Sequence, residues 1–222
     1  MKLFKLLGLA SLLLLSIGCD SNSEESVQET EVETKKEYVK VSLFKEVDTS
    51  FNHQDLKLPE GFTYQILYTE DRDSVLYGDN LYAPAKGSHD MMEFISKGEN
   101  KGLLYVGHED AYHDSLLGDG GSGAFFDLEF NEGKWNVTSL FHHVPFESLG
   151  GTNRNCGGTL APNGMIMTCE ESYPTTNRGI WRNGTGHLDT LEYNGRPKYE
   201  NFGFIVEVDP ETRMPTQKLI SM

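Results

Sequence analysis

Apolar residues in this chain recur in short runs and in steps of two, bounded by glycine and proline, and no long segment carries the 3.6-residue spacing of an amphipathic helix. Leu58-Pro59-Glu60-Gly61 is a turn, and the alternation from Phe62 to Thr69 predicts a strand. The polar stretch from Asp71 to Gly87 reads as a long loop, and Met91 to Ser96 fits either a turn of helix or a strand. Leu103-Leu104-Tyr105-Val106-Gly107 is a compact apolar run that delivers His108, Glu109 and Asp110 at its end. From Ala124 to Phe130, Phe126, Leu128 and Phe130 share one face and Asp127 and Glu129 the other. Asn131-Glu132-Gly133-Lys134 then turns the chain into a returning strand from Trp135 to Phe141, a hairpin pattern. Gly164 to Cys169 and Asn201 to Asp209 predict two more strands, the second stopped by Pro210. Short strands, frequent glycines and long decorated loops indicate an all-β domain, either a sandwich or a propeller.

The first forty residues follow other rules. Lys2 and Lys5 precede an apolar run from Leu6 to Ile17 and then Gly18-Cys19, the plan of a secretory signal whose cleavage leaves Cys19 for lipidation. The run is shorter than the roughly 20 apolar residues a spanning helix needs. Residues 1–18 therefore read as a lipoprotein signal peptide and residues 19–40, acidic and nearly free of apolar side chains, as a solvated tether. Residues 41–222 remain for one domain, although Leu43 to Asp55 takes no assignment. The expected location is exported and lipid-anchored, on the periplasmic side of an outer membrane or at the cell surface. An apolar pattern begins again at Lys218-Leu219-Ile220-Ser221-Met222, so the chain is expected to be part of a longer sheet system.

Charge and cysteines narrow the chemistry. The formal net charge is −15, and removing Lys2 and Lys5 with the signal lowers it by two, to −17. Such a surface argues against a nucleic-acid partner and suits a protein that holds cations. With Cys19 lipidated, Cys156 and Cys169 are the remaining cysteines. In an oxidising compartment a disulfide between them is one reading, and metal ligation is the other.

The densest chemistry lies between Asn155 and Glu171. Gly157 and Gly158 allow a tight turn after Cys156, Pro162 and Gly164 punctuate the return, and Cys169-Glu170-Glu171 closes a strand. Glu170 and Glu171 are expected on opposite faces, so one of them can share a site with Cys156. A thiolate with carboxylates suits iron or another transition metal, and carboxylates alone favour calcium or magnesium. His108-Glu109-Asp110 adds an imidazole and hard oxygens after a buried strand, with His113, Asp114 and Asp119 near in sequence. Gly118-Asp119-Gly120-Gly121-Ser122-Gly123 lacks the lysine and helix of a phosphate-binding P-loop and reads as punctuation. His142-His143 diverge and form no expected site.

Asn155-Cys156-Gly157-Gly158, Pro162, Gly164 and Thr168-Cys169-Glu170-Glu171 resemble the signature of the PhoX-type alkaline phosphatases, Asn-Cys-x-Gly-x-x-x-Pro-x-Gly-x-x-x-Thr-Cys-Glu-Glu, at the same spacing. The resemblance extends to Leu103 to Glu109, to Gly121-Ser122-Gly123 and to Gly203 to Pro210. It implies a six-bladed β-propeller, of which this chain covers about the first half. It further implies an iron and calcium cluster that hydrolyses phosphomonoesters, with Cys156 and Glu171 at the catalytic metals. Glu170 is expected as a further metal ligand beside Glu171, Glu109 would be a carboxylate on or near calcium, and His89 and Asp90 would meet the substrate. The chain departs from the family at Gly107, where asparagine is common, and at Ser88-His89-Asp90, where Asn-Asn-Asp is usual. It departs again at Asn163 and Met165 or Ile166, in place of tryptophans, and in its lipoprotein signal. The expected protein is a monomeric, membrane-tethered phosphatase. The alternative is a non-catalytic, calcium-containing surface propeller that binds a sugar or a protein.

Overall fold

The structure, a computed structural model, describes residues 56–118, 120–182 and 190–220. The signal peptide, Cys19, the tether, the Leu43 to Asp55 segment, Asp119 and Met222 lie outside the described residues. The chain divides into two units, Met1–Glu60 and Gly61–Met222. Of the first, only residues 56–60 are described, and the second holds every strand below.

Thirteen strands are described. The larger sheet contains β1 (Ser74–Gly78), β2 (Leu81–Pro84), β3 (His89–Gly98), β4 (Lys101–His108), β5 (Ser122–Asn131) and β7 (Phe141–His143), in the order β2-β1-β7-β5-β4-β3, with β6 (Lys134–Val137) also pairing β5. The smaller sheet runs β13 (Met214–Leu219), β12 (Ile205–Asp209), β9 (Ile166–Glu170) and β8 (Asn155–Leu160). A two-stranded ribbon, β10 (Glu192–Tyr193) with β11 (Arg196–Pro197), stands apart from both. The domain is all-β, as the period-2 pattern predicts. Its sheets are open, and the circular closure of a propeller is not seen among the described residues.

The pleat decides what each face does. Leu103, Tyr105, Met91 and Phe125 point from the larger sheet toward Ile166, Val206 and Val208 of the smaller one, with Val144 and Phe146 closing the same core. Burying a side chain of phenylalanine size stabilises by about 1.5–3 kcal/mol, and Tyr105, Phe125 and Phe146 are all fully enclosed. The opposite face carries Val106, Phe126 and Leu128 under Leu67, Tyr68, Phe141 and Trp135.

The β5–β6 hairpin matches the expected one. Its register runs Leu128↔Val137 to Asn131↔Lys134, and Glu132 and Gly133 take positive φ in the turn, the pairing that suits the strand twist. Residues 91–96 prove to be the middle of β3. Two expectations need correction. The supposed loop from Asp71 to Gly87 contains the β1–β2 hairpin, whose few apolar residues hid it: Val75 faces Ala83 and both are buried. Phe62 to Thr69 is not a strand, because it joins the sheet through side chains, Leu67 and Tyr68 by packing and Gln65 by hydrogen bonds, rather than through a backbone ladder. Gln65 Nε2 donates to the Trp135 carbonyl at 3.0 Å, and the Trp135 N–H donates to Gln65 Oε1 at 2.8 Å.

Candidate metal and phosphate site

The β8–β9 hairpin sorts its residues between two faces. Asn155 pairs with Glu170 and Gly158 with Thr168, with the register shifted between them, so Cys156 and Gly157 oppose Cys169 in a β-bulge. Residues one step from a cross-strand pair point the other way. Asn155, Thr168 and Glu170 are buried on the inner face, while Arg154, Cys156, Cys169 and Glu171 share the outer one. The bulge thus sets Cys156 beside Cys169 without the sharp chain reversal that the glycine pair suggested. Both thiols are free, and burial, with Cys156 close by, raises the Cys169 thiol above its ordinary range. Gly158 is needed for packing: a Cβ there would lie 2.2 Å from the Met167 carbonyl oxygen and 2.3 Å from Met91 Sδ.

Glu170 is held by the protein itself. Its Oε1 accepts from the Asn153 N–H at 2.9 Å and from Lys218 Nζ at 3.5 Å, and its Oε2 accepts from the Gly203 and Phe204 N–H groups, both at 2.9 Å. Burial pushes this carboxyl up, against the pull of Lys218 and the three N–H donors. Both oxygens are therefore engaged in joining the turn before β8 to the entry of β12.

Glu171 behaves differently. It is exposed, and its N–H donates to the Arg154 carbonyl at 2.9 Å. Its carboxylate meets that of Glu109, which follows β4 and is fixed by a 2.8 Å hydrogen bond from its own N–H to the Ser88 carbonyl. The hydrogen bond with Glu171 raises Glu109 above the ordinary carboxylate range, desolvation and the charges of Glu171 and Asp90 push the same way, and Arg154 opposes them. Glu109 and Glu171, from the ends of β4 and β9, are thus neighbours, and Glu109 also feels the charge of Asp90 on β3. A cation would relieve their mutual repulsion, and hard oxygens of this kind suit calcium, with the Cys156 thiol on the same hairpin face as a softer donor. Among the described residues no three His, Cys, Asp or Glu side chains stand close enough to hold a metal ion.

The structure does not bring His89 to this patch. Its ring stacks on Tyr68 at 4.8 Å and lies 5.1 Å from the His108 ring, and its Nε2 meets the Lys86 carbonyl at 2.9 Å. His89, His108 and Ser122 pair across β3, β4 and β5, and Ser122 Oγ reaches His143 Nδ1 at 3.2 Å. His108 has neither ring nitrogen partnered. Burial first, and the neighbouring His89, His143 and Lys86 next, hold it well below the usual histidine range. Its neighbour Glu109 faces the other way. Asp114 accepts from the Leu116 and Leu117 N–H groups, each at 2.7 Å, and shapes its own loop.

Arg154 is the site residue that the sequence did not single out. It lies just before β8, and its left-handed backbone, at φ 51°, is visible only in the structure. Gly107 packs where a Cβ would lie 3.3 Å from the Asn155 carbonyl oxygen and in ordinary contact with Met91 at 3.5 Å, so a larger residue there requires β8 to shift slightly.

Residues 131–221 match the family model described as alkaline phosphatase PhoX. The matched stretch is consistent with a partial PhoX-type region and contains Cys156, Glu170 and Glu171, while His89, Asp90 and Glu109 precede it. None of the curated proteins and none of the solved structures matches the chain. No helix among the described residues is long and apolar enough to cross a membrane.

Proposed function

We propose that this chain is a metal-dependent phosphatase that hydrolyses phosphate monoesters outside the cytoplasm. The observation that carries the reading is the convergence of Glu109 and Glu171, from separate parts of the chain, on the outer face of the hairpin that bears Cys156. The match of residues 131–221 to the phosphatase family supports the same class of chemistry.

In this reading Glu109 and Glu171 hold calcium, Cys156 is a thiolate ligand to iron, and other donors complete shells that two carboxylates and a thiol cannot fill. Bound metal would polarise the phosphoryl oxygens and stabilise the charge that develops in the transition state. Glu170 positions rather than ligates, because its oxygens are taken up by Asn153, Gly203, Phe204 and Lys218. Asp90 lies at the rim of the carboxylate patch, and His89 would have to leave Tyr68 to touch substrate. The two sheets would be successive blades of a propeller, monomeric and tethered to the membrane through Cys19 and the acidic segment after it.

Metal analysis of the purified protein, with hydrolysis of p-nitrophenyl phosphate, tests the reading. Iron and calcium should both be present, and Cys156→Ala should lose iron and hydrolysis together. Full hydrolysis after that substitution overturns the assignment. A binding role without catalysis has one observation of its own, an open hollow of about 320 Å³ where Phe94, Phe130 and Trp135 present aromatic rings. Retention of a sugar by a protein that hydrolyses no phosphate ester would favour it.

A further inference from the structure

Arg154 occupies an unusual position for a long side chain. Its φ of 51° lies in the left-handed region, which costs a non-glycine residue of the order of 1–2 kcal/mol. Two backbone hydrogen bonds hold it there. Its N–H donates to the Asp110 carbonyl at 3.2 Å and its own carbonyl accepts from the Glu171 N–H at 2.9 Å. The strained residue is therefore a strut between the segment that carries Glu109 and the segment that carries Glu171. Glycine or asparagine would serve as that strut at lower cost, so the backbone alone does not explain an arginine.

The side chain supplies the missing reason. Its Nη1 donates to the neutral Ser172 hydroxyl, and its Nε is buried with no acceptor. A guanidinium has five donors arranged to fit phosphate and carboxylate oxygens, and this one reaches the field of Glu109 while keeping an unpaired, desolvated donor. Orphaned N–H groups of this kind are costly unless a ligand meets them.

We infer that the Arg154 guanidinium grips a non-bridging oxygen of the phosphate group bound at the Glu109–Glu171 wall, and so sets a preference for dianionic monoesters over monoanionic diesters. The inference rests on the phosphatase reading, since the cation proposed at Glu109 and Glu171 is what lets a phosphate approach two carboxylates. A monoester offers three non-bridging oxygens and two charges to such a fork, and a diester offers two oxygens and one charge.

Arg154→Gly removes the side chain and keeps the left-handed backbone free of strain, and Arg154→Lys keeps the charge without the fork. For Arg154→Gly, KM for p-nitrophenyl phosphate and the inhibition constant of inorganic phosphate should each rise about tenfold or more, the size expected from losing one hydrogen bond to a charged group. Hydrolysis of bis(p-nitrophenyl) phosphate should change less than about threefold, metal content should be kept, and the thermal midpoint should not fall. Arg154→Lys should recover only part of the loss. An unchanged KM and inhibition constant, or an equal loss on both esters together with metal, overturns the inference in favour of a purely structural strut. Phosphate binding is measured separately from turnover, as the rise in thermal midpoint caused by inorganic phosphate. A wild-type protein that shows the rise but hydrolyses nothing overturns the phosphatase reading alone. An equal rise in Arg154→Gly, or no rise in either protein, overturns this inference.

Discussion

His108 and Glu109 are adjacent, as are His89 and Asp90 and again Glu170 and Glu171, yet in each pair one residue turns inward and the other toward the carboxylate patch. On the inner side His108 is neutral and without partners, His89 is stacked on Tyr68, and Glu170 is fully hydrogen-bonded. On the outer side Glu109 shares a hydrogen bond with Glu171 and is pushed up by the charges of Glu171 and Asp90, with Arg154 opposing them. Inward polar groups are satisfied by the protein or kept uncharged, whereas outward ones keep an unsatisfied charge that a metal ion or a phosphate could use. The comparison separates residues that hold the fold from residues available for chemistry, although a sequence motif presents them side by side.

The two glutamates give the sharpest contrast. Glu170→Ala should destabilise by about 3–5 kcal/mol in urea denaturation, because it strands three buried N–H groups and Lys218. Glu171→Ala should stay within about 0.5 kcal/mol of the wild type, or gain slightly as repulsion with Glu109 is relieved. Equal losses would erase the distinction between the faces. Gly158→Ala should cost about 1–3 kcal/mol by forcing β8 from Met167 and Met91, measured in the same way.

The imidazole side is tested by pH. The folded state holds His108 below its ordinary pKa of 6.5, so below about pH 6.5 the unfolded chain takes up a proton that the folded chain refuses. Stability should be constant above that pH and fall as pH drops, by up to about 1.4 kcal/mol per unit for this one group. His108→Phe should flatten that part of the profile, and a variant with the same slope as the wild type would show that another group is responsible.

Much of this was legible in the sequence where periodicity and burial agree. The β5–β6 hairpin shows its alternation plainly, β4, β9 and β12 show as short apolar runs with marked ends, and the spacing from Asn155 to Glu171 is a local property that survives folding. The opposite orientation of Glu170 and Glu171 also follows from the pleat alone. What failed was non-local. The β1–β2 hairpin buries little more than Val75 and Ala83, and Phe62 to Thr69 alternates without a neighbouring ladder to join. The inward turn of His89 depends on Tyr68, twenty-one residues earlier, and on a register shift in β3. Arg154 became visible only through its φ and the two segments its backbone connects.

The central claim is that Glu109 and Glu171 form a cation-binding wall rather than a solvated pair of charges. Titration of chelator-treated protein with calcium, followed by calorimetry, tests it directly when the wild type is compared with the Glu109→Gln, Glu171→Gln double variant. Saturable binding by the wild type, weakened at least about tenfold in a variant of unchanged thermal midpoint, is the predicted result, equivalent to 1.4 kcal/mol or more. Equal calcium affinity in the two proteins would contradict it.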